Sequence, residues 1–171
     1  MKDFKNCILT VIFLLLSVSA FSQIQNPVSF SVKQNKVSPT EVDVVFNGTI
    51  DSGWHVYSTN MGNGGPTSAT INMEKSVGVT KIGGLQAKGK EIKEFDKLFN
   101  MQVRYFKGHV QFVQKLRITA KTYHIKGYLE YGACNDRTCM PPTSVEFDYQ
   151  GDGPSALPVQ NNEKNPVQSS S

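Results

Sequence analysis

The chain has 171 residues, 39% of them hydrophobic and 19% charged, with a formal net charge of +4 at neutral pH. That length suits one domain with enough chain to bury a core. The basicity is mild and no Lys/Arg cluster stands out, which argues against a nucleic-acid partner.

Residues 1–22 read as a secretory signal peptide. Lys2 and Lys5 give a positive start, Ile8 to Leu16 is an apolar run broken only by Thr10, and Ala20-Phe21-Ser22 supplies a small-x-small cleavage pattern that leaves Gln23 first in the mature chain. The run is short for a membrane span and no second long apolar stretch follows. The mature chain is therefore expected to be exported, without stable membrane insertion. Cys7 leaves with the signal, and the loss of Lys2, Lys5 and Asp3 lowers the net charge by one, to +3.

From about Val28 to Tyr149 the pattern has period two. Val42, Val44 and Phe46 alternate with polar neighbours, as do Met101, Val103 and Tyr105, then Val110 and Phe112, then Leu116 and Ile118. Tyr123, Ile125, Leu129 and Tyr131 share one parity, and Val145, Phe147 and Tyr149 another run. Such alternation marks strands with one buried face. Turns are expected at Asn47-Gly48, Asp51-Ser-Gly53, Asn63-Gly-Gly-Pro66, Gly83-Gly84 and Lys107-Gly108. Residues 86–99 come nearest to a helical pattern, against which stand Gly89 and the scattered lysines. Many short strands at this spacing predict an all-β antiparallel sandwich over residues 23–150. Residues 151–171 turn polar and read as a disordered tail.

The chemistry concentrates in Tyr131-Gly-Ala-Cys134-Asn-Asp-Arg-Thr-Cys139-Met-Pro-Pro142, which holds the two cysteines left after the signal. Disulfides persist in exported proteins. A bond across so short a loop is a weak staple, about 2 kcal/mol in the chain-entropy model. The same short loop holds a resolving sulfur at high effective concentration, as thiol–disulfide exchange requires. Pro141 and Pro142 stiffen the exit, and Arg137 favours a thiolate while Asp136 opposes it. The residues alone leave open a redox pair and a non-catalytic, disulfide-stapled binding module at the cell exterior, for which Trp54 and the Asn63–Pro66 loop are the candidate surface. Zinc would need two further ligands, and His55, His109 and His124 are dispersed.

The stretch from Tyr131 to Phe147, with Tyr-x-x-Cys, four intervening residues, Cys-x-Pro-Pro and an alternating strand, resembles the active-site hairpin of the N-terminal periplasmic domain of the thiol:disulfide interchange protein DsbD. Asp51-Ser-Gly-Trp-His-Val-Tyr57 looks like that domain's early aromatic strand, and Phe95-Asp-Lys-Leu-Phe-Asn-Met101 with Val-Arg-Tyr-Phe-Lys-Gly108 looks like its cap-loop hairpin. The resemblance implies an immunoglobulin-like sandwich that relays electrons as a dithiol, with no cofactor. It implies that Cys139 forms the mixed disulfide and Cys134 resolves it. Phe95, Asp96, Leu98 and Phe99 would belong to the cap over the disulfide, and Trp54 and Tyr57 would pack around it. The implied acceptors are periplasmic disulfide isomerases or cytochrome c maturation thioredoxins. The sequence lacks the membrane and thioredoxin-like domains of complete DsbD proteins. The implied donor is therefore the thioredoxin-like domain of a separate membrane reductase.

Overall fold

Eleven antiparallel strands and no helix make up residues 26–97 and 99–155, which are the residues described by this computed structural model. The expected signal peptide and most of the expected tail lie outside them. In chain order the strands are β1 (Val28–Ser38), β2 (Glu41–Ile50), β3 (Trp54–Tyr57), β4 (Thr70–Val77), β5 (Val79–Lys88), β6 (Ile92–Asp96), β7 (Met101–Phe106), β8 (His109–Ile118), β9 (Thr122–Tyr131), β10 (Ala133–Asn135) and β11 (Thr143–Asp152). Gly151 and Asp152 therefore belong to a strand rather than to a tail, paired with Tyr123 and Thr122.

Two sheets, ordered β1-β2-β8-β5 and β11-β9-β4, enclose the main core. The predicted period-two residues fill it: Val42, Val44 and Phe46 from β2, Val110, Phe112, Leu116 and Ile118 from β8, and Ile125, Leu129 and Tyr131 from β9 are all buried. Aromatic contacts join the sheets. Phe46 meets Phe147 edge-on at 5.8 Å, and Phe30 meets Tyr131 at 4.8 Å. Apolar side chains thus join the two sheets, a task that ordinary immunoglobulin domains share with a bridging disulfide.

A third, smaller sheet, ordered β10-β3-β7-β6, extends beyond the sandwich. It has its own apolar cluster of Tyr57, Met61, Val103, Tyr105 and Cys134, with Ile92, Phe99 and Met101 packed against it. The chain enters this sheet from β9 through Gly132, where a Cβ would come within 2.8 Å of the Thr67 carbonyl oxygen. Only glycine lets the two backbones pass so closely.

Two sequence expectations fail. Asn47-Gly48 is not a turn but the interior of β2, paired with Ser31 and Phe30 on one side and Gln111 and Val110 on the other. Gly48 is small because Phe30 covers it: a Cβ there would lie 2.6 Å from the Phe30 ring. Gly83-Gly84 is likewise no turn. Both glycines lie within β5 at the register shift between Ile82 and Gln86, with Gly83 at a φ of 66°. They form a bulge, the use of glycine that bends a strand without ending it. Residues 86–99 close β5 and form β6 with no helix among the described residues, as the all-β reading expects.

Candidate functional site

The site grows from a tight hairpin. Cys134 lies in β10, which pairs with β3 so that Ala133 faces Val56, Cys134 faces His55 and Asn135 faces Trp54. The Asn135 side chain folds the following turn, its Oδ1 accepting hydrogen bonds from the amides of Arg137 (2.9 Å) and Thr138 (2.8 Å). This local Asx geometry is what an asparagine one position after a strand residue supplies. The Asn135 amide donates to the Thr138 carbonyl and the Met140 amide to the Ala133 carbonyl, both at 2.9 Å. The four intervening residues thereby return the chain on itself. Cys134 and Cys139 face each other with Cα atoms 4.0 Å apart, joined by a disulfide. Pro141 and Pro142 follow without amide hydrogens, and the chain runs into β11.

The two sulfur-bearing residues differ in exposure. Cys134 is 4% exposed and packs in the small cluster, whereas Cys139 is exposed. The disulfide lies at a cleft of roughly 750 Å³ whose aromatic wall is His55, Tyr57, Phe99 and Tyr105. The His55 ring stands edge-on to Tyr57 at 5.0 Å and tilted against Tyr105 at 4.6 Å. Phe99 is edge-on to Tyr57 at 6.3 Å. Charged side chains of both signs complete the lining: Glu94, Asp96 and Asp136 against Lys97, Lys107 and Arg137.

Polar contacts fix this wall. The Tyr105 hydroxyl donates to Glu94 Oε2 at 2.5 Å, and the Lys107 ammonium sits 5.6 Å over the Tyr105 ring. The Phe99 amide donates to Asp96 Oδ1 at 3.2 Å, which turns the chain after β6 and brings Phe99 back over the cleft. The bond to Glu94, then burial, pushes the Tyr105 phenol up to about 12. Burial, then the Asp96 charge, pushes Tyr57 up to about 12. Both phenols are therefore neutral at physiological pH. Burial, then the Lys107 charge, lowers the His55 imidazole below its ordinary value, so it too is neutral there.

Of the residues singled out in the sequence, the structure brings Cys134, Cys139, Tyr57, Phe95, Asp96 and Phe99 to this cleft. Phe95 stands at its rim, 51% exposed. Leu98 lies outside the described residues. Trp54 does not join the sulfurs, which corrects the expectation for it. It packs against the main core and borders a separate cleft behind the hairpin, with Asn135, Asp136 and Arg137. The reason is the pleat: Trp54 and Tyr57 are an odd number of residues apart on β3, so they face opposite ways. The same parity identifies the residue that sequence reasoning passed over, since His55 shares a face with Tyr57. Tyr105, expected only as a buried strand residue, is the other missed wall residue.

The family described as thiol:disulfide interchange protein DsbD, N-terminal, matches residues 24–151. No curated protein matches significantly. Among solved structures, the N-terminal periplasmic domain of ScsB from Proteus mirabilis superposes with a TM-score of 0.53 at 17% identity, over 72% of this chain and 46% of that one. The chain thus spans under half the length of that structure, and at this identity the likeness speaks for the fold. The reduced DsbD N-terminal domain of Neisseria meningitidis gives 0.41 at 19% identity, over 72% and 86% of the two chains. The complex between the DsbD and PilB N-terminal domains of the same organism gives 0.36 at 18%, over 72% and 84%.

Proposed function

The chain belongs to the family of DsbD N-terminal domains, and on that premise we propose that it relays reducing equivalents in the periplasm through the Cys134–Cys139 pair. Its chemistry is thiol–disulfide exchange. The observation that carries the reading is the unequal exposure of the two cysteines in one cleft. An incoming thiolate can reach the Cys139 sulfur, while Cys134 stays inside as the sulfur that later closes the ring. In the reduced domain, Cys139 attacks a partner disulfide and forms a mixed disulfide. Cys134 then attacks Cys139, the intramolecular bond forms, and the partner leaves as a dithiol. Two electrons pass to the partner, and the domain ends oxidised. A thioredoxin-like domain of a membrane reductase is the proposed donor. An exported disulfide isomerase or cytochrome c maturation thioredoxin is the proposed acceptor.

The reduction potential of the pair tests the proposal. Exchanging dithiols lie between about −120 and −270 mV, and structural disulfides below about −300 mV. Equilibration against a thiol buffer should give a value in the first range. A value in the second range would make the bond an inert staple and favour the binding-module alternative.

In this reading the loop after β6 is a lid. Phe99 packs on Tyr57 beside the disulfide and limits access of small reagents to the sulfurs. Phe99→Ala should speed oxidation of the reduced pair by dissolved oxygen or peroxide several-fold, followed as loss of free thiol. An unchanged rate would deprive Phe99 of a shielding role.

A further inference from the structure

His55 is the residue directly opposite Cys134 on the β3–β10 ladder. Facing residues of an antiparallel pair project to the same side with Cβ atoms about 5 Å apart, and both residues line the cleft. The imidazole is half-buried and clamped between Tyr57 and Tyr105, whose rings fix its position. Tyr105 cannot take a proton from a neighbour, because its phenol is neutral and committed to Glu94. Among the described residues, neither ring nitrogen of His55 has a hydrogen-bond partner. A proton acceptor is thus held beside a buried sulfur with its lone pair uncommitted.

We infer that His55 is a further catalytic residue of the exchange reaction, taking the proton of Cys134 as that thiol resolves the mixed disulfide. This rests on the exchange reading above. A thiol must lose its proton to attack, and burial in apolar surroundings disfavours a free thiolate. Cys134 is the buried sulfur, so it is the one that needs a base. The step balances within the complex. The Cys134 S–H proton passes to an imidazole nitrogen, and its electron pair forms the bond to Cys139. The bond from Cys139 to the partner breaks, the partner sulfur leaves as a thiolate, and the imidazolium returns its proton to that thiolate or to water. In the reverse direction the imidazolium protonates Cys134 as it departs.

The surrounding charges suit the role. Burial and Lys107 keep the ring neutral, outweighing Asp136, Asp96 and Glu94, which act the other way. The ring is then a base throughout the neutral range, and loses that capacity only below its ordinary value of 6.5. Tyr57 and Tyr105 add no charge at these pH values.

The two sulfurs can be timed separately. Dithiobis(nitrobenzoate) mixed with the reduced domain should release thionitrobenzoate twice, first on attack by Cys139 and then on resolution by Cys134. In the native protein the second rate should be nearly flat between about pH 7 and pH 8, where imidazole is neutral and an ordinary thiol mostly protonated. In His55→Gln the second rate should be about tenfold lower near pH 7 and rise about tenfold per pH unit, following the thiolate fraction. The first rate should not differ between the two proteins. His55→Phe, which preserves the ring packing, should behave as His55→Gln does. Wild-type behaviour in either variant would confine His55 to packing and overturn the inference. Should neither variant fold, the native profile decides alone: a second rate that climbs about tenfold per pH unit overturns it equally. Failure of the exchange reading has a different signature, a reduction potential of the pair in the range of structural disulfides.

Discussion

Replacing Cys134 with Ala should turn the domain into a trap that stays covalently joined to its partner through Cys139. Cys139 is exposed at the hairpin turn and keeps its access to a partner disulfide. The second step is what disappears. In the native chain the Cys134 sulfur is delivered by a five-residue separation and the pairing of β10 with β3, so resolution is intramolecular. Without it, the mixed disulfide waits for an outside thiol, and its lifetime should lengthen to the minutes or hours of uncatalysed rearrangement. Non-reducing electrophoresis of exported proteins from cells making Cys134→Ala should show adducts that a reductant dissolves. Cys139→Ala should give few or none, because the remaining cysteine, Cys134, is buried at 4% exposure. Equal trapping by both variants would mean that exposure does not select the attacking sulfur.

The sandwich was readable because its strands are long and buried on one face. Val42, Val44 and Phe46, or Ile125 and Leu129, alternate over enough residues that period two cannot be mistaken, and all are buried. The small sheet that carries the site gives a weaker signal. In β6 only Ile92 and Asp96 are half-buried while the residues between them are exposed, so no alternation marks Ile92–Asp96 as a strand. The glycine errors have one physical origin. A glycine read as a turn can equally mark a place where another group leaves no room, as Phe30 does at Gly48, or a bulge, as at Gly83. The hairpin chemistry was legible by resemblance, whereas spacing alone left a staple and a redox pair unresolved. The cleft wall was half legible. Applied to Trp54-His-Val-Tyr57, the pleat that revealed the strands already sets His55 beside Tyr57 and Trp54 apart from both. Tyr105 and Glu94 come from β7 and β6, and only the pairing of those strands brings their side chains together.

Phe46→Ala should destabilise the fold more than reduction of the disulfide does. Phe46 is fully buried at the centre of β2, opposite Val32 and Phe112 in its own sheet and edge-on to Phe147 of the other. Its truncation removes the contact between sheets and leaves a cavity, a loss of about 3–5 kcal/mol for a buried phenylalanine. The Cys134–Cys139 bond closes so short a loop that breaking it should cost about 2 kcal/mol or less. Urea unfolding of the native and variant proteins, each oxidised and reduced, measures both quantities in one experiment. The order matters for function. A relay must open its disulfide in every cycle without losing its fold, so stability has to reside in the packed sheets. Phe46 and Cys134 also belong to separate apolar clusters, so the variant, where still folded, should keep the native rate of attack by Cys139. A larger loss on reduction than on truncation would mean that the bond holds the domain together, which no electron carrier of this design can tolerate.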